Sequence, residues 1–406
     1  MNEVKIGWLF DVISSGSTPP TGQSIYYDNG TINWLNTGDL TDGLVTNIPK
    51  KISNEALLKF PTLKTYEPNS IVMAMYGATI AKLGIVMDYF TTNQACVVLS
   101  QPKESVYQKF IFYVLMSKRK DIINESRGGG QPNISQNIVK NIKLKLPKKH
   151  EQILIVSYID SKLLELDNLI SSKEKQIQLL EEQCQAMITE AVTKGLTPNI
   201  NMKDSGIEWI GDIPEHWTTI KLKRVLKIHN GREVIAEVDE EADSIPVYGS
   251  GGIFKRTNEV LYSGNAILFG RKGTIGKPIK VTGEFWTVDT MYYSIVREHG
   301  AIDYLYYLLK IFPWSLIATN TTIPSVVGSE LGEQIICYPN NIETIKQIGN
   351  YLEKKNKEIK KLVDDIYNQI IKLKEYRQSL IYEAVTGKIP IDEMEKYLKE
   401  VEQDGD

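Results

Sequence analysis

Two stretches of the chain carry a long helical pattern of hydrophobic and polar positions. In each stretch apolar residues recur in steps of three and four, with charged residues between them, and this spacing is typical of a coiled-coil seam. The first seam contains Leu163, Leu166, Ile170, Ile177, Leu180, Cys184 and Met187. The second contains Ile359, Val363, Ile366, Ile370, Leu373 and Leu380. The pattern predicts two long amphipathic helices.

The two helical stretches repeat each other. Residues 189–198 read TEAVTKGLTP and residues 382–390 read YEAVTGKIP. Further upstream, Tyr158 in LPKKHEQILIVSYID corresponds to Tyr351 in YPNNIETIKQIGNYLE, 193 positions later, and the two seams coincide at the same offset. Unrelated helices would rarely share both phase and length. The sequence therefore indicates an internal duplication.

A lone amphipathic helix of this length is unstable in water unless its apolar stripe is covered. The second copy offers a matching stripe, so we expect the two helices to pair and to hold two globular domains apart. The alternative is that each helix packs on its own domain. The narrow seams favour pairing, because a docked helix shows a broader apolar face.

The regions before the two helices are rich in short β-like runs separated by glycine, asparagine and proline. SIVMAMY at 70–76 and NAILFG at 265–270 are examples. The predicted fold class is α+β, with two mixed α/β domains related by a repeat and joined by two long helices. The predicted bounds are 1–148 and 206–340 for the domains, 149–196 and 341–388 for the helices, 197–205 for a linker and 389–406 for a C-terminal tail.

The composition is that of a globular protein, since 42% of the 406 residues are hydrophobic and 24% are charged. No apolar run reaches the roughly 18 residues that a membrane helix needs, and the first residues lack the pattern of a signal peptide. We therefore expect a cytoplasmic protein with no membrane partner. The three cysteines and four histidines are scattered and form no CxxC pair, which argues against a zinc module or a disulfide framework.

The net charge of −3 hides an uneven distribution of charge. Residues 1–148 contain 16 Lys and Arg against 11 Asp and Glu, whereas residues 206–340 contain 13 against 16. The second region owes much of its acidity to EVIAEVDEEAD at 233–243, which holds six acids. Basic domains between acidic connectors suit a phosphate-binding face better than the net charge suggests.

Glycine-rich loops occupy corresponding places in the two domains, YGATIAKLGIV at 76–86 and GRKGTIGKPIKV at 270–281. Glycines permit close approach of the backbone to a ligand, and basic side chains suit phosphates or guanine edges. The position of Arg271 and of Pro278 does not fit a P-loop, so an NTPase is a poor interpretation. A hairpin with solvated charges is the alternative. The candidate contacts are Tyr76, Lys82, Arg271, Lys272 and Lys277.

A second pair of loops is SRGGGQPNISQ at 126–136 and ATNTTIPSVVG at 318–328. Arg127, Gln131 and Asn133 carry donor and acceptor groups that match guanine and adenine edges. Thr322 is the candidate contact in the second loop. The three consecutive glycines suit a loop that follows a groove, although linker flexibility alone also explains them.

A third pair of loops lies near the start of each domain, SSGSTPPTG at 14–22 and HNGREVI at 229–235. Its candidate base or phosphate contacts are Thr18, Asn230 and Arg232. The chain contains no Gly-x-Ser-x-Gly elbow, no His-Glu-x-x-His pair and no motif for amino-group methylation or for a nuclease centre. We therefore predict a binding module without catalytic residues.

The order of these motifs, present twice, resembles the specificity subunits of type I restriction–modification systems. The resemblance covers nearly the whole chain. In the first half it rests on SGSTP (15–19), TGDL (37–40), PNSIVMAMYGATIAKLGIV (68–86), TTNQA (91–95), QPNIS (131–135) and LPKKHEQILIVSYID (146–160). In the second half it rests on DSGIEWIGDIPEHW (204–217) and GRKGTIGK (270–277).

The resemblance implies two target-recognition domains joined by an antiparallel coiled coil, with each domain reading one half of a split, asymmetric site in double-stranded DNA. It implies a non-catalytic chain that binds no cofactor or metal itself. Two modification subunits would bind S-adenosylmethionine and methylate adenine, and restriction subunits would cut DNA with ATP and Mg²⁺. The long helices would provide the docking surface for the modification subunits.

The second half departs from the first at two motifs. TVDTM (287–291) stands where the first half has TTNQA, and TTIPS (321–325) where it has QPNIS, as expected if the domains read different bases. Two other functions remain open. One is a self-sufficient methyltransferase or nuclease with a similar recognition half, and the other is a coiled-coil scaffold with two protein-binding domains. The basic first domain argues against the scaffold.

Overall fold

The computed structural model describes residues 3–125, 133–234, 237–238 and 244–404. The chain divides into two compact units. Unit 1 comprises Met1–Ser172 and Gln369–Asp406, and unit 2 comprises Lys173–Asn368. Both divisions fall within long helices, so each unit holds a sheet-rich part together with one half of each long helix.

Unit 1 is built from short strands and helices that precede the first long helix. Its strands are β1 (Glu3–Lys5), β2 (Phe10–Ser15), β3 (Ile32–Leu35), β4 (Gly43–Val45), β5 (Lys51–Ile52), β6 (Ser70–Ala74), β7 (Leu83–Val86), β8 (Thr91–Thr92), β9 (Cys96–Pro102) and β10 (Lys143–Lys145). Its helices are α1 (Asn54–Lys59), α2 (Gln108–Ser117), α3 (Arg119–Asn124), α4 (Gln136–Asn141) and the first half of α5 (Lys149–Lys194).

The main sheet of unit 1 has the strand order β2-β9-β6-β7-β4. Neighbouring strands within this sheet are antiparallel, except that β4 and β7 are parallel. Alternate side chains of β6 enter different cores, because successive residues of a strand point to opposite faces. Ile71 and Met73 pack with α2, whereas Val72 and Ala74 pack with β4 and Phe90. Cover on both faces explains why β6 is a continuous apolar run.

Unit 2 contains a larger sheet. Its strands are β11 (Met202–Asp204), β12 (Asp212–Pro214), β13 (Thr218–Lys221), β14 (Leu226–Asn230), β15 (Ile245–Gly249), β16 (Gly252–Thr257), β17 (Tyr262–Gly270), β18 (Ile279–Thr287), β19 (Met291–Val296) and β20 (Ile335–Tyr338). Its helices are α6 (Ile302–Ile311), α7 (Gly328–Glu333), the second half of α5 and the first half of α8 (Ile342–Thr386).

The sheet of unit 2 repeats the topology of unit 1. Its order is β14-β19-β17-β18-β15-β16, in which the first four strands correspond to β2-β9-β6-β7. The end of β18 pairs in parallel with β15, as β8 pairs in parallel with β3. Two-stranded sheets also correspond, because β13 pairs with β20 as β1 pairs with β10. The predicted duplication of two mixed α/β parts is confirmed.

The long helices pack against each other in opposite directions within each unit. In unit 1 the early α5 residue Leu163 shares a core with Leu380 and Ala384, near the end of α8. In unit 2 the late α5 residue Val192 shares a core with Ile345, near the start of α8. The helices are therefore antiparallel, as the resemblance implied.

All ten of the following predicted seam residues are shielded from solvent. The buried ones are Leu163, Leu166, Ile170, Ile177, Ile366 and Ile370. The half-buried ones are Leu180, Ile359, Val363 and Leu373. Leu164 and Leu179, which lie beside the seam, are exposed, so the shielded stripe is narrow.

The structure contains a further helix that the sequence analysis missed. Within the predicted C-terminal tail, residues Ile391–Asp404 form α9. Met394 is fully buried in the unit 1 core, and Tyr397 and Leu398 pack on it. The signal was present in the sequence, because positions 394, 397 and 398 follow helical spacing.

A tyrosine and a lysine meet a carboxylate of a long helix in both units. In unit 1 Asp160 of α5 accepts a hydrogen bond from the Tyr113 hydroxyl at 2.5 Å, and its other oxygen lies 2.6 Å from Lys109 Nζ. In unit 2 Glu353 of α8 accepts a hydrogen bond from the Tyr307 hydroxyl at 3.2 Å and another from Lys280 Nζ at 2.8 Å. Burial and the adjacent carboxylate raise the pKa of both tyrosines, so the phenols remain proton donors.

We expect Tyr113→Phe to destabilise unit 1, because Asp160 loses a hydrogen bond from a buried donor. The expected loss is about 1–2 kcal/mol in the free energy of unfolding, at the lower end for a bond to a charged group because Asp160 is partly exposed. Native-state hydrogen exchange of the α2 amides measures it. Tyr89→Phe is the control, since Tyr89 is 60% exposed and should change stability by less than about 0.5 kcal/mol. Equal effects of the two substitutions would contradict the role of this contact.

Candidate nucleic-acid interface

Four of the predicted contact residues of unit 1 lie at one edge of its main sheet. Strands β2 and β6 run antiparallel to β9 and β7. The C-terminal ends of β2 and β6 therefore lie at the same edge of the sheet as the N-terminal ends of β9 and β7. Thr18 follows β2, Tyr76 follows β6 and Lys82 precedes β7. We name this surface edge 1, comprising residues 16–18, 75–82, 93–95 and 133–134.

Backbone hydrogen bonds join the loops of edge 1. Met75 N donates to Ala95 O at 2.8 Å, and Ile134 N donates to Met75 O at 2.7 Å. These bonds place Asn133 opposite Tyr76 in a short antiparallel bridge. The Thr18 hydroxyl donates to the side-chain oxygen of Gln94. Predicted contacts Arg127 and Gln131 lie outside the described residues.

The predicted contacts of unit 2 lie at the equivalent edge. Asn230 ends β14, Arg232 follows it, and Arg271, Lys272 and Lys277 lie between β17 and β18. We name this surface edge 2, comprising residues 230–232, 271–278, 288–290 and 318–326. Thr322 lies in its last loop and is exposed.

The same backbone hydrogen bonds join the loops of edge 2. Arg271 N donates to Thr290 O at 2.8 Å, and Val326 N donates to Arg271 O at 2.9 Å. Lys272 and Ser325 form the short bridge. Arg271 therefore takes the place of Met75, and Lys272 takes the place of Tyr76.

The hydrogen-bond register refines the correspondence between the two edges. Ser17 N donates to Thr92 O and Arg232 N donates to Thr287 O, so Thr287 matches the second threonine of TTNQA. Ser325 corresponds to Asn133. An end-to-end alignment of TTIPS with QPNIS would instead pair Ser325 with the last residue of QPNIS, two positions later. Gln94 then corresponds to Asp289.

A glycine allows the chain to pass close to a neighbouring strand in both edges. A Cβ atom on Gly16 would lie 1.6 Å from Thr92 O, and one on Gly231 would lie 2.0 Å from Val288 O. Real Cβ atoms never approach oxygen so closely, so only glycine fits without moving the backbone. The glycine therefore fixes the position of the loop that carries Thr18 or Arg232.

The two edges differ in charge. Edge 2 has four cationic side chains, of which Arg232, Lys272 and Lys277 are exposed. Arg271 is half-buried, with its guanidinium carbon 5.7 Å from the centre of the Tyr292 ring. Within the described part of the chain no carboxylate forms an ion pair with any of the four. Edge 1 instead presents Lys82 among hydroxyl and amide groups.

The chemistry at the edges is that of hydrogen bonding and charge. Across residues 3–125, 133–234, 237–238 and 244–404, no group of three or more His, Cys, Asp or Glu side chains is placed to hold a metal ion. Burial raises the pKa of the Cys96 and Cys337 thiols to about 12, so both stay protonated near neutral pH. Burial and the nearby Lys227 lower the pKa of His229, which stacks on Tyr293 at 5.0 Å.

Comparison with known proteins identifies the family. A family model described as the type I restriction modification DNA specificity domain matches residues 1–182 and 214–378. The chain belongs to this family. The two matched segments contain edge 1 and edge 2 respectively, so the family assignment covers both candidate surfaces.

Curated relatives are described as specificity subunits of type I restriction enzymes. The chain is 27% identical over 270 residues to the type I restriction enzyme MjaVIII specificity subunit of Methanocaldococcus jannaschii, covering 61% of this chain and 59% of the relative. It is 25% identical over 173 residues to the EcoR124I/EcoR124II specificity subunit of Escherichia coli, covering 41% and 42%. The chain thus spans less than two thirds of the length of these relatives.

Two solved structures share the fold at low identity. One is a chain from a study of complex assembly and conformational transition of the type I R-M system, with a TM-score of 0.74, 15% identity and coverage of 96% of this chain and 98% of that chain. The other is the HsdS subunit of Thermoanaerobacter tengcongensis, with a TM-score of 0.54, 16% identity and coverage of 96% and 97%.

Within the described residues, no helix has the length and apolarity to cross a membrane.

Three residues of the edges were absent from the sequence prediction. Gln94, Asp289 and Ser325 occupy the central loops beside predicted contacts. A polar residue just before a buried strand was the available signal for Gln94 and Asp289. Ser325 gave none, because its pairing with Lys272 depends on contacts far apart in sequence.

We expect Gly231→Ala to distort edge 2, because the added methyl group meets the Val288 carbonyl. The expected cost is about 1–3 kcal/mol in the free energy of unfolding, with faster hydrogen exchange at residues 288–291. Gly251→Ala is the matched control in the same unit, since a Cβ there has no neighbour within 4 Å. A tolerated Gly231→Ala with unchanged exchange would contradict the close approach.

Proposed function

We propose that this chain is the non-catalytic DNA-recognition subunit of a type I restriction–modification complex. It binds double-stranded DNA through edge 1 and edge 2, and each edge reads one half of a split, asymmetric target. The repetition of one sheet edge with different side chains is the observation that carries this proposal. Two edges with identical side chains would favour a symmetric target. Edge 1 has Tyr76 and Asn133 at the positions where edge 2 has Lys272 and Ser325. This difference favours two different half-sites.

The side chains of both edges suit the DNA major groove. Arginine and lysine bond the two acceptors of guanine, asparagine and glutamine match adenine, and aspartate accepts from cytosine. Edge 2 adds positive charge that binds phosphates and releases counterions, so its contribution to affinity falls with salt. Edge 1 offers fewer described cations and relies more on hydrogen bonds to bases. Phosphate contacts position the protein, and base contacts give specificity.

The partners follow from the family and from the names of the relatives, which are type I restriction enzyme specificity subunits. In this proposal two modification subunits bind S-adenosylmethionine and methylate adenine within the target. Restriction subunits use ATP and Mg²⁺ to cut unmodified DNA. This chain supplies no cofactor site, and the complex acts on DNA in the cytoplasm.

Adenine methylation mapped across the host genome, with and without the gene, tests the proposal. The expected result is the loss of methylation at one split motif when the gene is deleted. Unchanged methylation in a host with an active modification subunit would contradict the proposal. Incorporation of labelled methyl groups by the purified chain alone would instead favour a self-sufficient methyltransferase.

We expect Arg271→Ala and Lys277→Ala to weaken binding to the mapped target in different ways. If Arg271 reads a base, its loss costs about 1–3 kcal/mol and relaxes specificity at one position. Loss of a phosphate contact by Lys277 weakens binding to all sequences and reduces the salt slope by about one. Fluorescence anisotropy at several salt concentrations, with target variants, separates these effects.

Arg224→Ala is the matched control for both substitutions. Arg224 is exposed and precedes β14, at the opposite end of the strand from Asn230. The Arg224→Ala substitution removes one positive charge from unit 2 without changing any residue of edge 2. Equal weakening by Arg224→Ala and Lys277→Ala would show that net charge, and not edge 2, determines affinity.

A further inference from the structure

One large apolar side chain is exposed on edge 2. Among the residues of that edge, all of which the structure describes, Ile323 is the only large hydrophobic residue that is exposed, at 65% of its full accessibility. The described residues of edge 1 expose none. Single exposed apolar side chains are common on protein surfaces, so the significance of Ile323 depends on how it is held and on what surrounds it.

The loop that carries Ile323 is closed by hydrogen bonds between its two arms. Thr319 N donates to Ser325 O at 2.9 Å, and Ser325 N donates to the Thr319 hydroxyl oxygen at 2.9 Å. Nearer the tip, the Thr321 hydroxyl donates to Ile323 O at 2.8 Å. Residues 319–325 therefore form a braced loop that fixes the backbone on both sides of Ile323.

The same loop is bonded to the segment that carries the cations of edge 2. Gly273 N donates at 2.9 Å to the carbonyl oxygen of Pro324, the residue directly after Ile323. Lys272 is exposed and forms the short bridge with Ser325. A lysine at this position binds phosphate groups of DNA, so DNA bound at Lys272 has its neighbouring bases within reach of the loop that carries Ile323.

Few conformations are open to Ile323 before it binds a partner. A residue that precedes proline is restricted to extended backbone conformations, and a β-branched side chain has few χ1 rotamers. The hydrogen bond from Thr321 adds a further restraint on the backbone. An apolar contact made by this side chain therefore costs little conformational entropy.

Ile323 occupies the sequence position that Gln131 has in the first half of the chain. The bridge residues Ser325 and Asn133 correspond, and counting back two positions from each gives Ile323 and Gln131, with a proline between in both halves. Gln131 lies outside the described residues, so this correspondence is one of sequence. A side chain that matches adenine is thus replaced by one that forms no hydrogen bond.

The DNA major groove offers one kind of partner to an apolar side chain. Base edges there present hydrogen-bond donors and acceptors, and the C5-methyl group of thymine is the apolar group among them. Contact between Ile323 and this methyl group removes apolar surface of both partners from water, which is favourable. Contact with a polar base edge would instead remove that edge from water without a replacement hydrogen bond.

We propose that Ile323 is a specificity-determining residue of edge 2 that recognises the C5-methyl group of one thymine in the half-site read by unit 2. Lys272 positions the DNA through phosphate, and Ile323 selects thymine by apolar contact. This assignment rests on the proposed function, because it requires DNA bound at edge 2. Its chemistry differs from that of the charged and polar contacts assigned above.

Replacement of single thymines by deoxyuridine tests this assignment. Uracil lacks the methyl group and keeps the hydrogen-bonding groups of thymine, so the replacement removes one apolar contact and nothing else. The DNA is the target selected by the full chain, and every thymine on both strands is replaced in turn. We expect one replacement to weaken binding by the unsubstituted chain about threefold to tenfold, measured by fluorescence anisotropy, as for the loss of one buried methyl group.

Substitution of Ile323 should remove that dependence on the methyl group. Ile323→Ala should bind the thymine target more weakly, and the sensitive deoxyuridine replacement should then cost less than about a further twofold, because the two partners are coupled. Leu316→Ala is the matched control. Leu316 is 66% exposed in the same unit and lies beside Trp209 and Ile335, outside edge 2, so its substitution should leave both the affinity and the deoxyuridine effect unchanged.

Two results would overturn the assignment while leaving the proposed function intact. The first is selective binding that no deoxyuridine replacement weakens. The second is a deoxyuridine effect of equal size in Ile323→Ala and in the unsubstituted chain, as expected if Ile323 is an apolar wedge between base pairs or contacts no DNA. Failure of the full chain to prefer any DNA sequence would instead contradict the proposed function, and this assignment with it.

Discussion

The buried contact between α5 and α8 is the constraint on which each unit depends. Helices of 46 and 45 residues with one narrow apolar stripe are unstable alone in water, because most helical stability in proteins comes from tertiary packing. In both units the two helices cover each other's stripe and supply the carboxylate, Asp160 or Glu353, that receives a tyrosine and a lysine. In unit 1 the tyrosine and the lysine lie on α2, and in unit 2 they lie on α6 and β18, so these contacts join the sheet-rich part of each unit to the helix pair.

Duplication has preserved backbone interactions and changed side chains. Gly16 and Gly231 allow the same close approach of strands, and equivalent hydrogen bonds hold the central loops of both edges. On this shared framework edge 2 presents Arg271 and Lys272 where edge 1 has Met75 and Tyr76. A repeated framework with altered surfaces is what a chain needs to bind two different partners of one chemical kind.

Much of this architecture could be predicted from local patterns. The heptad spacing indicated the long helices, and the matching Tyr158 and Tyr351 indicated the duplication, because periodicity depends on residues near one another in sequence. The glycine-bearing loops pointed to Thr18, Arg232 and Arg271 for the same reason. The opposition of Ser325 and Lys272 could not be predicted, since it depends on pairing between distant segments. Helix α9 had a readable pattern at Met394, Tyr397 and Leu398, but its short length resembled a tail.

Selection of bound fragments from a random DNA library with the purified full chain is the most direct test of the central claim. The claim is that one chain reads two different half-sites through two copies of one sheet edge. It predicts enrichment of two unlike sequence blocks separated by a spacer of fixed length and free sequence. Substitution of Arg271 should then alter only one block. Enrichment of a single block, or of two identical blocks, would contradict the account.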